Sequence, residues 1–201
     1  MRIYLASRSP RRRELLTQIG IAFDTVLFRA GERADPETDE TPLPGEPALT
    51  YVERVARAKA EHGGRIIGWR KLPPRPVLSA DTTLEFDGEI IGKPLDAADA
   101  TAILRRLSGR THRVLTGVAV NHLGRTEFML SSSEVRFREL SDEEIRDYVM
   151  SGEPMDKAGA YGIQGRAGVF VEYIAGSYTG IMGLPVCETE QLLRRVSARQ
   201  P

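Results

Sequence analysis

The apolar positions of this chain change period from block to block, and the changes outline its elements. Ile3, Tyr4, Leu5 and Ala6 are consecutive apolar residues, which predicts a short buried strand over Arg2–Ala6. Ser9 and Pro10 then form a helix start, and Gly20 a stop, so a helix is expected over Pro10–Ile19. Phe23–Phe28 reads as a second strand, and the acidic, proline-rich stretch from Ala30 to Pro47 as a loop. Val52, Val55, Ala56 and Lys59 recur at helical spacing within a helix over Ala48–His62. Gly63–Pro76 contains Gly-Gly and Pro-Pro, which predicts a connection and a candidate hinge.

The second half alternates similarly. Val77–Ala80 is a short apolar run ending at Asp81. Leu84–Phe86 and Glu89–Ile91 flank Asp87-Gly88, a hairpin-turn dipeptide. Asp96 caps a helix to Leu107, which Gly109 stops. Strands follow at Val114–Val120 and Phe128–Phe137, joined by a turn over Asn121–Gly124. Ser141-Asp142-Glu143-Glu144 has the capping-box form and opens a helix to Met150. A strand at Val169–Ile174 and a helix at Pro185–Val196 complete the pattern. Alternating strands and helices with two hairpins predict an α/β fold around a mixed, twisted sheet flanked by helices.

Composition narrows the classes of function. The length suits one domain, or two closely joined lobes, over residues 1–201. Lys and Arg together number 28, as do Asp and Glu, so no global field favours a polyanion and any phosphate site must be local. The tract Arg110–Arg113 lacks interleaved aromatics, which argues against nucleic-acid binding. No apolar run is long enough to cross a membrane, and the arginine-rich start does not resemble a secretion signal. Cys187 is the only cysteine, which fits a reducing cytoplasm. Lysine is scarce: Lys59, Lys71, Lys93 and Lys157 are all there are. Either codon bias left them by accident, or a compact point charge is needed where a guanidinium fork does not fit.

The candidate chemistry is concentrated in a few short stretches. Asp156–Gly165 reads Asp-Lys-Ala-Gly-Ala-Tyr-Gly-Ile-Gln-Gly. It sets an acid, an ammonium, a phenol and an amide among Gly159, Gly162 and Gly165, as a loop closing over a polar ligand would. In Ser7–Arg12, the start of a helix leaves backbone amides unpaired at its positive end, where an anion binds readily. Ser7, Arg11 and Arg12 add donors there. The alternative is a plain helix start with a solvated arginine face. Asp81, at the expected end of a strand, suits a divalent metal ligand, a proton acceptor or both. It could equally cap a turn through Thr82 and Thr83. Lys59 and Lys93 are candidates for neutralising phosphates. Gln164 offers a donor beside an acceptor, matching the edge of thymine or uracil. A flipped amide suits cytosine as well, and a donor-only Arg12 near the 4-carbonyl would break that tie. Gln164 could instead bind loop backbone. Gly88–Lys93 is not a phosphate-binding P-loop, because its glycine spacing is one short and Pro94 replaces Ser or Thr. His62, His112 and His122 have no metal-ligand spacing and read as surface or packing residues.

These stretches together carry a resemblance. Ser7-Arg8-Ser9-Pro10-Arg11-Arg12, Ser79-Ala80-Asp81-Thr82, Gly92-Lys93-Pro94 and the glycine loop are similar, in order and spacing, to the Maf (septum formation inhibitor) family of nucleoside triphosphate pyrophosphatases. The resemblance spans Tyr4 to Leu193. It implies an elongated, two-lobed molecule with a central cleft, often a homodimer. It implies a catalytic carboxylate at Asp81, a specificity role for Thr82, and a divalent metal (Mg2+ or Mn2+) on Asp81 and Glu32. The Gly-Ile-Gln-Gly ending resembles the branch cleaving dTTP and UTP rather than that acting on 7-methylguanosine triphosphate. A role in removing non-standard nucleotides and a link to cell-division arrest are implied too. The alternatives are the 7-methylguanosine branch and a nucleotide-binding regulator of division that does not turn over.

Overall fold

Three strands more than nine residues long form the middle of the sheet, and the remaining strands attach at their edges. A computed structural model describes residues 1–28 and 39–198 of the chain. Among these, β1 (Arg2–Leu5), α1 (Pro10–Gln18) and β2 (Ala22–Thr25) form a parallel unit. It is followed by α2 (Ala48–Trp69), β3 (Val77–Phe86) and β4 (Glu89–Ile91). Next come α3 (Ala97–Leu107), β5 (Thr111–His122), β6 (Arg125–Phe137) and α4 (Asp142–Met150). Short 3-10 turns then lead to β7 (Val171–Ala175), α5 (Tyr178–Met182) and α6 (Val186–Ala198). The strand order is β2-β1-β3-β5-β6-β7, with β4 beside the far end of β3. Strands β1 and β2 pair in parallel, as do β1 and β3, and every other pairing is antiparallel. The mixed α/β sheet flanked by helices is thus as the sequence predicts.

Two cores lie at the two ends of the long strands. On one face, Ile3, Leu5, Leu78, Ala80, Val118 and Val120 pack with Leu15, Leu16 and Leu192 of α1 and α6. Further along, Leu84, Phe86, Val114 and Phe137 pack with Leu104, Ile145 and Tyr161. Between the cores β3 carries Asp81, Thr82 and Thr83. α2 covers the other face, seating Val52 and Val55 on Leu115, and Ala56 and Ala60 on Ala119.

Several expected boundaries move. α2 does not stop at His62 but runs through Gly63-Gly64 to Trp69, so half of the expected connection is helix. Glycine costs a helix about 1 kcal/mol relative to alanine. Here it permits close packing: a Cβ on Gly63 would lie 2.7 Å from Val77 Cγ1, and one on Gly64 would overlap Asn121 Oδ1. β3 is one continuous strand, which places Asp81 mid-strand rather than at a strand end. The polar run Asp81-Thr82-Thr83 hides a strand because its side chains face helices and a cleft. β2 ends three residues short of Phe28, whereas β5 and β6 extend beyond their apolar runs. α5 had no sequence signal of its own. The hairpin at Asp87-Gly88 and the capping box at Ser141 are as expected.

His112 is a packing residue. It is buried, its Nε2 lies 2.8 Å from the Tyr161 hydroxyl, and its ring meets Phe137 edge-on. Burial pushes its pKa down to about 3. The unfolded chain takes up a proton near the ordinary value of about 6.5, and the folded chain does not. The neutral ring therefore stabilises the fold fully above that pH, and the contribution is lost as pH falls toward 3. The slope approaches about 1.4 kcal/mol per pH unit. We expect the urea midpoint to fall more steeply between pH 6.5 and 4 in the wild type than in His112→Gln. Equal slopes would mean that His112 protonates within the fold.

Candidate active site

Two contacts set α2 against β3. The buried Ser79 hydroxyl donates to the Ala56 carbonyl at 2.7 Å. One helical turn along α2, and two residues along β3, Lys59 Nζ donates to Asp81 Oδ1 at 2.8 Å. Alternation along the strand puts Ser79 and Asp81 on the same face, so the first contact fixes the second. Lys59 Nζ also lies 2.8 Å from Glu40 Oε2. Glu40 is brought there by Arg54, whose guanidinium grips the Glu46 carboxylate with Nε and Nη2 and the carbonyls of Asp39 and Thr41. The Tyr51 hydroxyl donates to the Glu40 carbonyl at 3.0 Å. Burial, then the charges of Asp81 and Glu40, push the Tyr51 pKa up to about 12, so it remains a neutral donor.

Thr82 faces the opposite way, toward α1 and α5. Arg12 reaches it from the first turn of α1 (Nη2 to Thr82 Oγ1, 3.3 Å) and also donates to the Gly183 carbonyl (2.8 Å) and Ser7 Oγ (3.2 Å). Burial lowers the Arg12 pKa from the ordinary guanidinium value, and Asp81 opposes that shift. Behind Thr82, the Thr116 hydroxyl lies 3.0 Å from Thr82 Oγ1 and 2.8 Å from the Gly180 carbonyl. Ser9 occupies the N-cap position of α1, but its side chain makes no capping bond. Among the described residues no side chain caps the first amides there, and Arg11 stands beside them, 3.8 Å from Asp156 of the glycine loop.

The glycine loop is held from beneath. Gly159 has φ +72° and donates its amide to the Gly92 carbonyl at 2.9 Å, and a Cβ there would overlap Leu84. Glu153 accepts from the Tyr148 hydroxyl at 3.0 Å and the Arg166 amide at 3.1 Å. A Cβ on Gly165 would overlap that carboxylate. Gln164 is exposed, and its amide makes no hydrogen bond with any described residue; the possibility that it ties down loop backbone is not what the structure has. Lys93 is exposed next to Gly92 and forms no ion pair with a described residue.

One cleft of about 1270 Å3 collects these groups. It lies along the β3 edge where β1 has ended, after Leu78, and β4 has not begun, before Leu84. Ser7, Arg11, Arg12, Lys59, Asp81 and Thr82 line it, as do Lys93 and Gln164. Glu32 lies outside the described residues. The sequence reading missed Glu40, Tyr51 and Thr116. Glu40 sat unmarked in an acidic loop, and only the Arg54 contacts single it out. Thr116 looked like an ordinary strand residue.

A profile of the Maf-like protein family matches residues 2–196. The chain belongs to the Maf family. Among curated relatives, the dTTP/UTP pyrophosphatase of Dechloromonas aromatica is 78% identical over 99% of both chains. That of Aromatoleum aromaticum is 67% identical over 96% of this chain and 94% of the relative, and that of Chromobacterium violaceum 54% over 100% and 97%. In this Maf protein the Asp81 carboxylate, which lines the cleft, is bonded to the Lys59 ammonium through one oxygen, and among the described residues the other makes no hydrogen bond. Two basic groups, Arg11 and Lys93, and the Gln164 amide line the same cleft. Such a set can accept a proton from water, hold an anionic chain and bind a planar polar edge. Among the described residues, no helix is long and apolar enough to cross a membrane.

Proposed function

We propose that this Maf protein hydrolyses dTTP and UTP to the nucleoside monophosphate and pyrophosphate. The observation that carries the reading is the convergence of Asp81, Lys59 and Glu40 with the uncapped α1 start and the free Gln164 amide in one cleft. The names of the whole-length relatives support the choice of nucleotides. Asp81 takes the proton of a water whose oxygen bonds the α-phosphorus. The bond from that phosphorus to the bridging oxygen breaks, and pyrophosphate leaves with the electron pair. Lys59 holds Asp81 by one oxygen and leaves the second for the proton. Arg11, Lys93 and the α1 amides balance the phosphate charge. Gln164 and Thr82 meet the base, with Arg12 holding Thr82 in place.

A divalent cation such as Mg2+ or Mn2+ fits this donor set. Asp81 and Glu40 each place a carboxylate oxygen 2.8 Å from the same ammonium in the cleft, which gives two oxygen donors of the kind such an ion prefers, with substrate phosphates to supply others. Such an ion, when bound, neutralises phosphate charge and makes water more acidic. Among the described residues Glu40 is our candidate for the second carboxylate; Glu32, to which the family resemblance gives that role, lies outside them. We further propose a single-domain homodimer acting on free nucleotides in the cytoplasm. The lone, exposed Cys187 fits a reducing compartment. Arg110 and Arg113, paired with Asp87 and Glu85, offer little to a nucleic acid.

Pyrophosphate release from a panel of dTTP, UTP, CTP, ATP and 7-methylguanosine triphosphate tests the reading. Preference for dTTP and UTP is expected, and release only from the methylated guanosine nucleotide, or from none, overturns it. Gln164→Leu keeps bulk but strands the polar edge of the base. Its kcat/KM for dTTP should fall about ten- to a hundredfold, with a much smaller loss on poor substrates. An equal loss on every nucleotide would make Gln164 a loop support.

A further inference from the structure

Gln164 is exposed, and its amide makes no hydrogen bond with any described residue, so the backbone that carries it sets where it stands. That backbone is fixed at two amides, each two residues from Gln164. The Gly162 amide donates to the Tyr148 hydroxyl at 3.4 Å, and the Arg166 amide donates to Glu153 Oε2 at 3.1 Å. The two supports are one unit, because the Tyr148 hydroxyl donates in turn to Glu153 Oε1 at 3.0 Å. Tyr148 is buried in α4, with its ring edge-on to Phe170. Burial, then the charge of Glu153, holds its pKa above the ordinary phenol value, so the hydroxyl keeps its hydrogen. Between the two anchored amides the turn also closes on itself, with the Gly165 amide donating to the Gly162 carbonyl at 2.9 Å.

We propose that Tyr148 and Glu153 are positioning residues that clamp the turn from Gly162 to Arg166 and thereby place the Gln164 amide for base selection. Neither of them lines the cleft, so they act through the turn and not on the nucleotide. The residue type at 153 follows from the two donors that converge on it. A carboxylate turns an acceptor to each, whereas an amide of the same shape turns a donor to one of them. Gly165 lets the carboxylate reach the backbone, since a Cβ there would overlap it. Lys157 braces the same turn. Its Nζ donates to the Glu153 carbonyl at 2.5 Å, and its stem passes so close under Gly162 that a Cβ there would lie 2.9 Å from Cε. The inference rests on the proposed hydrolysis of dTTP with Gln164 at the base, and deepens it.

Tyr148→Phe removes the hydroxyl and keeps the ring against Phe170. The test is the ratio of kcat/KM for dTTP to that for ATP in the wild type, Tyr148→Phe, Gln164→Leu and the double variant, together with hydrogen exchange at the Gly162 and Arg166 amides. Tyr148→Phe should lower the ratio about three- to tenfold, the scale of one hydrogen bond, and speed exchange at both amides. On the Gln164→Leu background it should lower the ratio no further, because the side chain it positions is gone. A folded Tyr148→Phe protein with the wild-type ratio overturns the proposal, and so does an equal fall with and without Gln164. If Tyr148→Phe does not fold, Glu153→Gln decides by the same criteria. Wild-type protein without a preference for dTTP, or Gln164→Leu with the wild-type ratio, would defeat the functional reading instead. The clamp is then judged by exchange alone, and wild-type protection of both amides in the variants overturns it.

Discussion

Asp81→Asn is expected to lower turnover of dTTP and UTP about a hundredfold or more, as loss of a proton acceptor or metal ligand does. The substitution is isosteric. An amide oxygen can still accept from Lys59 at the 2.8 Å position, and Glu40 remains to balance the ammonium. The neighbouring Ser79–Ala56 bond, which sets α2 on the sheet, is untouched. The fold should therefore survive, and a circular-dichroism melt alongside steady-state kinetics separates lost chemistry from lost structure. KM should change far less than kcat, because the groups that hold phosphates and base are unaltered. A folded variant with near-wild-type turnover would remove Asp81 from the reaction.

Chelation should have a comparable effect. Excess EDTA is expected to reduce pyrophosphate release to background, and magnesium or manganese to restore it. The motive is the pair of carboxylates converging on one ammonium. Without a cation of higher charge, two acids beside a triphosphate would repel the substrate they are meant to process. Glu40→Gln should raise the magnesium concentration needed for half-maximal rate about tenfold, with turnover at saturating metal less affected. Undiminished activity in excess chelator would refute the role given to both carboxylates. An unchanged magnesium requirement in Glu40→Gln would return the second ligand to a residue outside the described segments.

What could be read from the sequence depended on how local its cause was. Ser9-Pro10, Asp87-Gly88 and the Ser141 capping box specify their geometry within four residues, and each was placed correctly. Gly63-Gly64 was misread because its reason is tertiary: the glycines admit Val77 and Asn121 to the surface of α2. Asp81 was singled out and does line the cleft, but its strand was cut short, since hydroxyls and a carboxylate that face a cleft and helices interrupt the apolar run. Glu40 was passed over because its position is set by Arg54, fourteen residues on and across a turn. The contacts of Thr116 were illegible for a similar reason, as Thr82, Thr116 and Gly180 lie far apart in the chain and nothing local marks them as partners.

The alternation of Asp81 and Thr82 across β3 bears on how such a protein can change over generations. One residue answers to α2 and the next to α1 and α5. A duplicated copy could therefore acquire a new nucleotide by substitutions at Thr82, Arg12 and the Gly180–Gly183 turn, while Lys59, Glu40 and Asp81 are inherited intact. Changes in chain length have no such latitude. Deleting Ala80 would turn the carboxylate toward Arg12 and the hydroxyl toward Lys59, inverting both halves of the site in a single step. Lineages descending from this chain should thus diverge by replacement within β3 and tolerate insertions only outside it.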